Sequence, residues 1–469
     1  MPQNSEGSLK TLVTRRDFLK TTTVAGAIAF PAVLKSQPAG TPSPMNRLNV
    51  AIIGAGGRGG AAVQGMKDEN IVAICDVDSE RAGASLKTFK ERYPEEATRQ
   101  EGAARFDDFR KMFDQLGNKI DAVTISTPDH THFPAAMAAM KLGKHVFVEK
   151  PLSHTVWEAR ELTRVAREQK VMTQMGNQGH AGEGCRILKE WVEAGVLGDV
   201  REVVSWTNRP FYPPWREPVG TFNPPDHSKF IPVAPKTLNW DAWLGVAAKR
   251  AYDPAYVPWK WRGWWDFGTG AFGDVACHIM DGAYWALNLG APTAVEAMST
   301  GASKVASPLA SVVTNYFPAR GSMPALKYTW SDGGIVPTLP VELEIGRDLP
   351  AEAGTLLFGS KATVLCSFYY DSVRIIPEVK MREMGPSLPG KTIPRVKDGP
   401  FAEWLLACKG GPKAGSSFDY SGPFTEAVLL ANVAIRSRRR IEWDSKAMQV
   451  TNLPEANQFV TKEYRPGWL

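Results

Sequence analysis

Regular patterning of apolar and polar positions begins at Leu48. Residues 48–53, LNVAII, form a continuous apolar run, as expected of a strand covered on both faces. GAGGRG follows at once, then AAVQGM with helical character, then a second apolar run, IVAIC, that ends in Asp76. Further along, the periodicity predicts helices over 81–92 and 107–116, a strand over 121–127 stopped by Pro128, and a helix over 133–142 closed by Gly143. A strand over 145–149 runs into Lys150 and Pro151, and Thr155-x-x-Glu158 is a capping box that opens another helix. Strands alternating with helices at this spacing predict an α/β fold with a parallel, doubly wound sheet over residues 47–177. Later, 200–206, 341–346, 355–359 and 362–370 are strand-like. A Pro/Trp/Tyr-rich excursion over 209–265 is longer than a plain connection needs.

Composition narrows the function classes. The chain has 469 residues, 22% of them charged, and a formal net charge of +6. Residues 1–40 hold five of the bases and two of the acids, which leaves +3 spread over the rest without a basic block. Nucleic-acid binding therefore has little electrostatic support. No apolar run is long enough to span a bilayer. The five cysteines form no CxxC pair and sit among apolar or small residues, so they read as buried thiols; no metal site is expected.

The first 35 residues read as an address. TRRDFLK (14–20) precedes a short apolar stretch, and a Pro/Ser/Gly-rich linker over 36–46 follows. The Arg15–Arg16 pair ahead of Phe18, Leu19 and Lys20 resembles the twin-arginine export signal, so a periplasmic or cell-envelope location is expected. A basic amphipathic helix is the plainer alternative. No clean cleavage site follows.

Chemistry concentrates at strand ends. Gly54, Gly56 and Gly59 provide a tight turn, close backbone approach to a pyrophosphate and close helix–strand packing. Asp76 lies twenty positions after Gly56, where a carboxylate accepts from a ribose 2′-OH and repels a 2′-phosphate; NAD is expected in preference to NADP. Glu149 and Lys150 fall at the next functional strand end, where a lysine ammonium reaches both a nicotinamide and a substrate hydroxyl; a surface lysine that happens to precede a proline is the alternative. In GTGAFGDVACHIMD (268–281), Asp274, His278 and Asp281 share one helix face at i, i+4 and i+7. A near-neutral histidine there suits proton transfer, and Asp274 either orients the ring or holds a neighbouring hydroxyl. Asp129-His130-Thr131-His132 reads as polar contacts of a cofactor loop, with a metal pair as the alternative. Among the tryptophans of 259–267, Trp264 and Trp265 are candidates for the wall of a sugar pocket, with core packing the alternative.

With these residues in place, the chain resembles the Gfo/Idh/MocA oxidoreductases over roughly 47–444. The resemblance rests on the glycine motif, STPDHTH (126–132), VEKP (148–151), MGNQGH (175–180), GD-x3-H-x2-D (273–281) and the ending FTEAVLLANVAIRSRRRIEWD (424–444). It implies that Lys150, Asp274 and His278 form the catalytic group. Gly54, Gly56, Arg58, Gly59, Asp76, Thr127, Pro128, His132, Glu149 and Lys150 would hold the nucleotide. It also implies a cis bond before Pro151 and places Asn177, Gln178 and His180 near the substrate side, where the aromatic segment and the helix face add Trp264, Trp265 and Asp281 as candidates. A second α+β domain with an open mixed sheet is implied over 178–445, followed by a tail over 446–469, and a homodimer or homotetramer is expected. The implied activity is NAD(P)-dependent oxidation of a secondary hydroxyl of a sugar, polyol or inositol. The alternative is redox-neutral glycoside cleavage or epimerisation with a self-recycled NAD. A non-catalytic binding module ranks lower because Lys150, Asp274 and His278 are all present.

Overall fold

Two sheets organise the chain. The computed structural model describes residues 47–210, 232–300 and 303–468, so the signal, the linker and residues 211–231 of the aromatic excursion lie outside the described residues. The first sheet has six strands: β1 (Asn49–Ile53), β2 (Asn70–Cys75), β3 (Ala104–Phe106), β4 (Ala122–Ile125), β5 (His145–Glu149) and β6 (Thr173–Gly176). All pair in parallel, in the order β3-β2-β1-β4-β5-β6. Between them run α1 (Gly59–Gly65), α2 (Ser79–Arg92), α3 (Pro94–Arg99), α4 (Phe109–Leu116), α5 (Asp129–Lys141) and α6 (Val156–Gln169). The capping box forms: Thr155 Oγ1 accepts from the Glu158 N–H, and the Glu158 carboxylate accepts from the Thr155 N–H. Ile53 pairs with Cys75 on one side and Ile125 on the other, and Ile125 neighbours Val148. The carboxyl ends are therefore level where the strand order reverses, which is where such sheets form a ligand crevice.

After α7 (Glu183–Glu193), the second sheet begins with β7 (Val200–Thr207). The helices α8 (Trp240–Leu244), α9 (Gly270–Ile279) and α10 (Asp281–Ala286) intervene. Strands β8 (Ala294–Ser299), β9 (Ser311–Phe317), β10 (Leu326–Ser331), β11 (Ala353–Gly359), β12 (Thr363–Ser367) and β13 (Val373–Ile376) follow. Helices α11 (Glu378–Met384), α12 (Gly399–Cys408) and α13 (Phe418–Ser437) lead to the short strands β14 (Ile441–Asp444) and β15 (Gln449–Val450). The nine strands run β13-β12-β11-β7-β10-β9-β8-β14-β15, antiparallel except for the parallel β7–β10 pair, so the sheet is mixed. In β9 every second residue is buried, which is the signature of a sheet with one covered face.

The strand expected over 341–346 does not form. Its alternating Val341, Leu343 and Ile345 carried the expectation, yet only Leu343 is buried, against Trp206, Leu356 and Ile376; Val341 and Ile345 are fully exposed. Pro337 and Pro340 cannot donate to a ladder, and the Leu343 N–H closes a turn onto Pro340 O instead.

Packing crosses the expected division at residue 177. Helix α12 lies on the first sheet: the Phe401 ring stacks on Phe147 at 4.3 Å, and Trp404 is fully buried among Val50, Ile52, Val63 and Met66. The expected tail is likewise not a tail. Trp157 N–H donates to Val460 O, Arg110 donates to Gly467 O at 2.6 Å, and the Trp468 ring sits 6.0 Å from Phe109. Because Trp404 completes the first core, Trp404→Leu is expected to lower stability by about 2 kcal/mol. Chemical denaturation with dinucleotide titration in parallel checks this, since the loss should weaken both together.

Cys75, Cys185, Cys277 and Cys366 are buried thiols and Cys408 is half-buried; none is bridged. No helix among the described residues is long and apolar enough to cross a membrane.

Candidate active site

The turn after β1 requires glycine at two positions. Gly54 has φ +78°, and a Cβ there would lie 2.7 Å from Ser126 O. A Cβ on Gly59 would lie 1.8 Å from Gly54 O. The N–H groups of Ala55 and Gly56 both donate to Asp76 Oδ2 at 2.8 Å, and the Asp78 N–H donates to Oδ1 at 2.9 Å. Asp76 therefore braces the glycine turn as well as facing the crevice. Burial raises its pKa and the backbone N–H groups oppose that. The Gly57 and Arg58 N–H groups bond no acceptor among the described residues and remain for an anionic ligand. The Arg58 guanidinium donates to Glu149 Oε1 at 2.9 Å across the reversal of strand order.

A cleft of about 620 Å³ collects Gly54, Gly56, Arg58, Asp76, Thr127, Pro128, Glu149 and Lys150 from four strand ends. Its size and its unengaged N–H groups fit a dinucleotide. The facing wall holds Trp243, Trp259, Trp261, Arg262 and the distant Trp468.

His132 does not line this cleft. The stretch 129–132 is the first turn of α5 rather than a loop. Buried there, the His132 ring nitrogens face Pro151 O at 2.7 Å and Thr127 O at 2.8 Å, so it ties two strand-end segments together from behind. Burial pushes its pKa down to about 4. His130 lies between Trp243 O and Phe267 O, and burial pushes it down to about 3. The helix expected from Phe133 starts four residues earlier, at Asp129. In the structure Pro134 is inside the helix, and Lys462 Nζ approaches the His130 carbonyl, which no i+4 N–H can reach, at 3.5 Å.

Lys150 and α9 meet directly. The Lys150–Pro151 bond is cis. Lys150 Nζ donates to Asp274 Oδ1 at 2.5 Å and to Asp274 O at 2.7 Å. Arg262 Nε donates to the same Oδ1 at 3.2 Å. One helical turn further, His278 is buried against Tyr369, 5.1 Å between ring centres, with no partner for Nδ1 among the described residues. Burial, then the Lys150 charge, hold its pKa well below the ordinary histidine value, so the imidazole is neutral.

Asp129, expected as a cofactor-loop contact, stands beside this group instead, and Arg262 joins it unexpectedly. Asp129 accepts from Thr269 Oγ1 at 2.7 Å, and burial with the Asp274 charge raises its pKa to about 7. Arg262 stands inside WKWRGWW, a segment read only for its tryptophans.

Several expected substrate-side residues are interior. Asn177 Oδ1 accepts from Ser416 Oγ at 2.5 Å, and the His180 Nδ1–Asp281 Oδ1 distance is 3.0 Å. Tyr420 also donates to Asp281 Oδ1, at 2.6 Å. Asp281 leaves the face shared by Asp274 and His278 because α9 ends at Ile279 and α10 starts after Met280. Trp264 packs edge-on against Tyr256 and donates to Ala255 O, and Trp265 donates to Ser303 O. Neither lines the cleft; Trp259 and Trp261 do.

Residues 48–177 match the model of an oxidoreductase family's NAD-binding Rossmann fold, and 188–307 match the family's C-terminal alpha/beta domain; the two spans cover just over half of the chain. The uncharacterized oxidoreductase YdgJ of Escherichia coli is 36% identical over 124 residues, 26% of this chain and 34% of that protein. A glycosyl hydrolase family 109 protein of Solibacter usitatus is 30% identical over 200 residues, 40% of this chain and 44% of that protein. The chain thus matches less than half the length of these curated relatives. The WlbA dehydrogenase from Bordetella pertussis, solved in complex with NADH and UDP-GlcNAcA, has TM-score 0.54 at 17% identity, over 85% of this chain and 99% of that one; this similarity shows the shared fold.

Proposed function

The chain belongs to the Gfo/Idh/MocA oxidoreductase family, and from that premise we propose that it is an NAD-dependent enzyme oxidising a secondary hydroxyl of a sugar, polyol or inositol. One observation carries the reading: the Lys150 ammonium, in the wall of the cleft, is bonded to Asp274 on the helix that also bears His278. A bound nicotinamide dinucleotide supplies the hydride acceptor. Lys150, oriented by its two bonds to Asp274, has a further N–H for the substrate oxygen and stabilises negative charge developing there. The neutral His278 imidazole accepts the hydroxyl proton. Arg262 shares the Asp274 carboxylate, so Lys150 is not its sole counter-ion. The sugar chemistry in the names of the family 109 relative and of the WlbA neighbour supports the substrate class.

Preference for NAD over NADP rests on Asp76, whose carboxylate would repel a 2′-phosphate. Asp76→Ala removes both that contact and the brace on Ala55 and Gly56, and is expected to weaken NAD binding roughly 10- to 100-fold. Titration with NAD and NADP checks this; unchanged NAD affinity would remove Asp76 from the site.

The family 109 relative favours a second reading, in which the same centre oxidises a glycoside hydroxyl to a ketone, the acidified neighbouring C–H gives up its proton as the aglycone leaves, water adds in its place, and the hydride returns to the ketone. Export by the twin-arginine route, proposed from Arg15 and Arg16, fits that reading because free dinucleotide is scarce outside the cytoplasm. Denaturing protein purified without added cofactor separates the two. Near-stoichiometric NAD(H) in the released material supports recycling, whereas a chain that arrives empty and exchanges NAD supports net oxidation.

A further inference from the structure

A second cavity, of about 270 Å³, opens between the start of α9, one face of α13 and residues 458–463; no residue lines both it and the dinucleotide cleft. Leu429, Asn432 and Arg436 face it from α13 at i, i+3 and i+7. The Arg436 guanidinium lies 4.2 Å from the Phe459 ring centre and 5.4 Å from Trp265. It forms no hydrogen bond or ion pair with any described residue. Burial pushes its pKa down to about 10, opposed only by the charge of Asp266, which is already bonded to Arg250. Asn432 donates through Nδ2 to Thr269 O at 2.8 Å, and its Oδ1 is buried with no donor among the described residues. Of the other cations that line the cavity, Lys462 is engaged by Glu158 Oε1 and His154 Nδ1, both at 2.9 Å, and Arg250 by Asp266. The cavity thus presents a guanidinium without an ion pair, an amide oxygen without a donor and the Trp265 indole, with the exposed Glu463 at its rim.

A half-buried guanidinium without an ion pair fits a planar carboxylate through paired N–H donors. The amide oxygen requires a donor from the ligand, and an indole face takes C–H groups. We propose that this cavity is a binding site for a small hydroxy-carboxylate, with its carboxylate on Arg436, a hydroxyl donating to Asn432 Oδ1 and its carbon chain on Trp265. The site is distinct from the proposed catalytic centre and does not depend on that assignment.

Isothermal titration of the full chain with D-gluconate, acetate and the uncharged D-glucitol tests the proposal. Gluconate should bind the wild type and Lys150→Met alike, and at least about tenfold more weakly to Arg436→Gln. Gln458→Glu places a like charge on the exposed rim without touching the core, and should weaken gluconate several-fold even if Arg436→Gln fails to fold. Acetate should bind at least about tenfold more weakly than gluconate, and any binding of glucitol should be unchanged in Arg436→Gln. Four results would each overturn the proposal: no saturable gluconate binding, gluconate affinity unchanged in Gln458→Glu or in a folded Arg436→Gln, loss of binding in Lys150→Met, or acetate matching gluconate.

Discussion

Lys150→Met lowers kcat about 10³-fold or more while the protein still folds and still binds NAD. Methionine keeps most of the length of the side chain and removes its charge and donors. The substrate oxygen then loses its cation, worth roughly 10²–10³ in rate where an oxyanion donor is removed, and Asp274 keeps its Arg262 contact but loses the Lys150 charge. The pH profile carries a second, independent signature. The Lys150 charge helps hold His278 below its ordinary pKa, so removing it lets that pKa rise. Because protonated His278 cannot accept a proton, the acid limb of the variant's residual activity moves to higher pH. Steady-state kinetics across pH with a dinucleotide titration measure both. A variant with wild-type kcat, or an acid limb that moves down, contradicts the assignment.

Gly59→Ala abolishes useful dinucleotide binding, by about 10²-fold or more, and destabilises the fold by about 1–3 kcal/mol. The added Cβ would sit 1.8 Å from Gly54 O, a position no side-chain rotation relieves. Gly54 cannot retreat easily: its N–H is bonded to Cys75 O at 2.8 Å, and its left-handed φ of +78° sets it close beside the Ser126 backbone. The turn must move as a unit, which misdirects the Gly57 and Arg58 N–H groups. Gly83→Ala is the control, since its Cβ would meet nothing within 4 Å on α2, and it should bind normally with a slight gain in stability. Equal binding by Gly59→Ala and the control would show that the turn does not hold the ligand.

The first sheet was legible because its determinants are local. A strand, a glycine turn, a helix and an acid in fixed spacing specify Gly54, Gly59 and Asp76 within thirty residues. Lys150 was legible as a lysine ending a buried strand. What sequence alone did not separate was a polar residue facing a ligand from the same residue facing another part of the chain. His132 is held by carbonyls of Thr127 and Pro151, and His180 by Asp281, whose break from α9 comes at Met280. Adjacent tryptophans likewise diverge: Trp261 lines the cleft while Trp264 packs on Tyr256. Long-range closure was the other gap, since nothing near Phe401, Trp404 or Trp468 indicates that they pack on strands and helices more than two hundred residues earlier.

Hydride transfer itself is the most direct test of the account. Wild-type protein and Lys150→Met, each with excess NAD, are mixed with sugars, polyols and inositols deuterated at their carbinol carbons, and deuterium in the nicotinamide is read by mass spectrometry. The account predicts label in the cofactor for at least one substrate with the wild type and its loss in Lys150→Met, whether turnover ends in net oxidation or returns the hydride. Label transferred equally by Lys150→Met, or a folded chain that binds no dinucleotide, would contradict it.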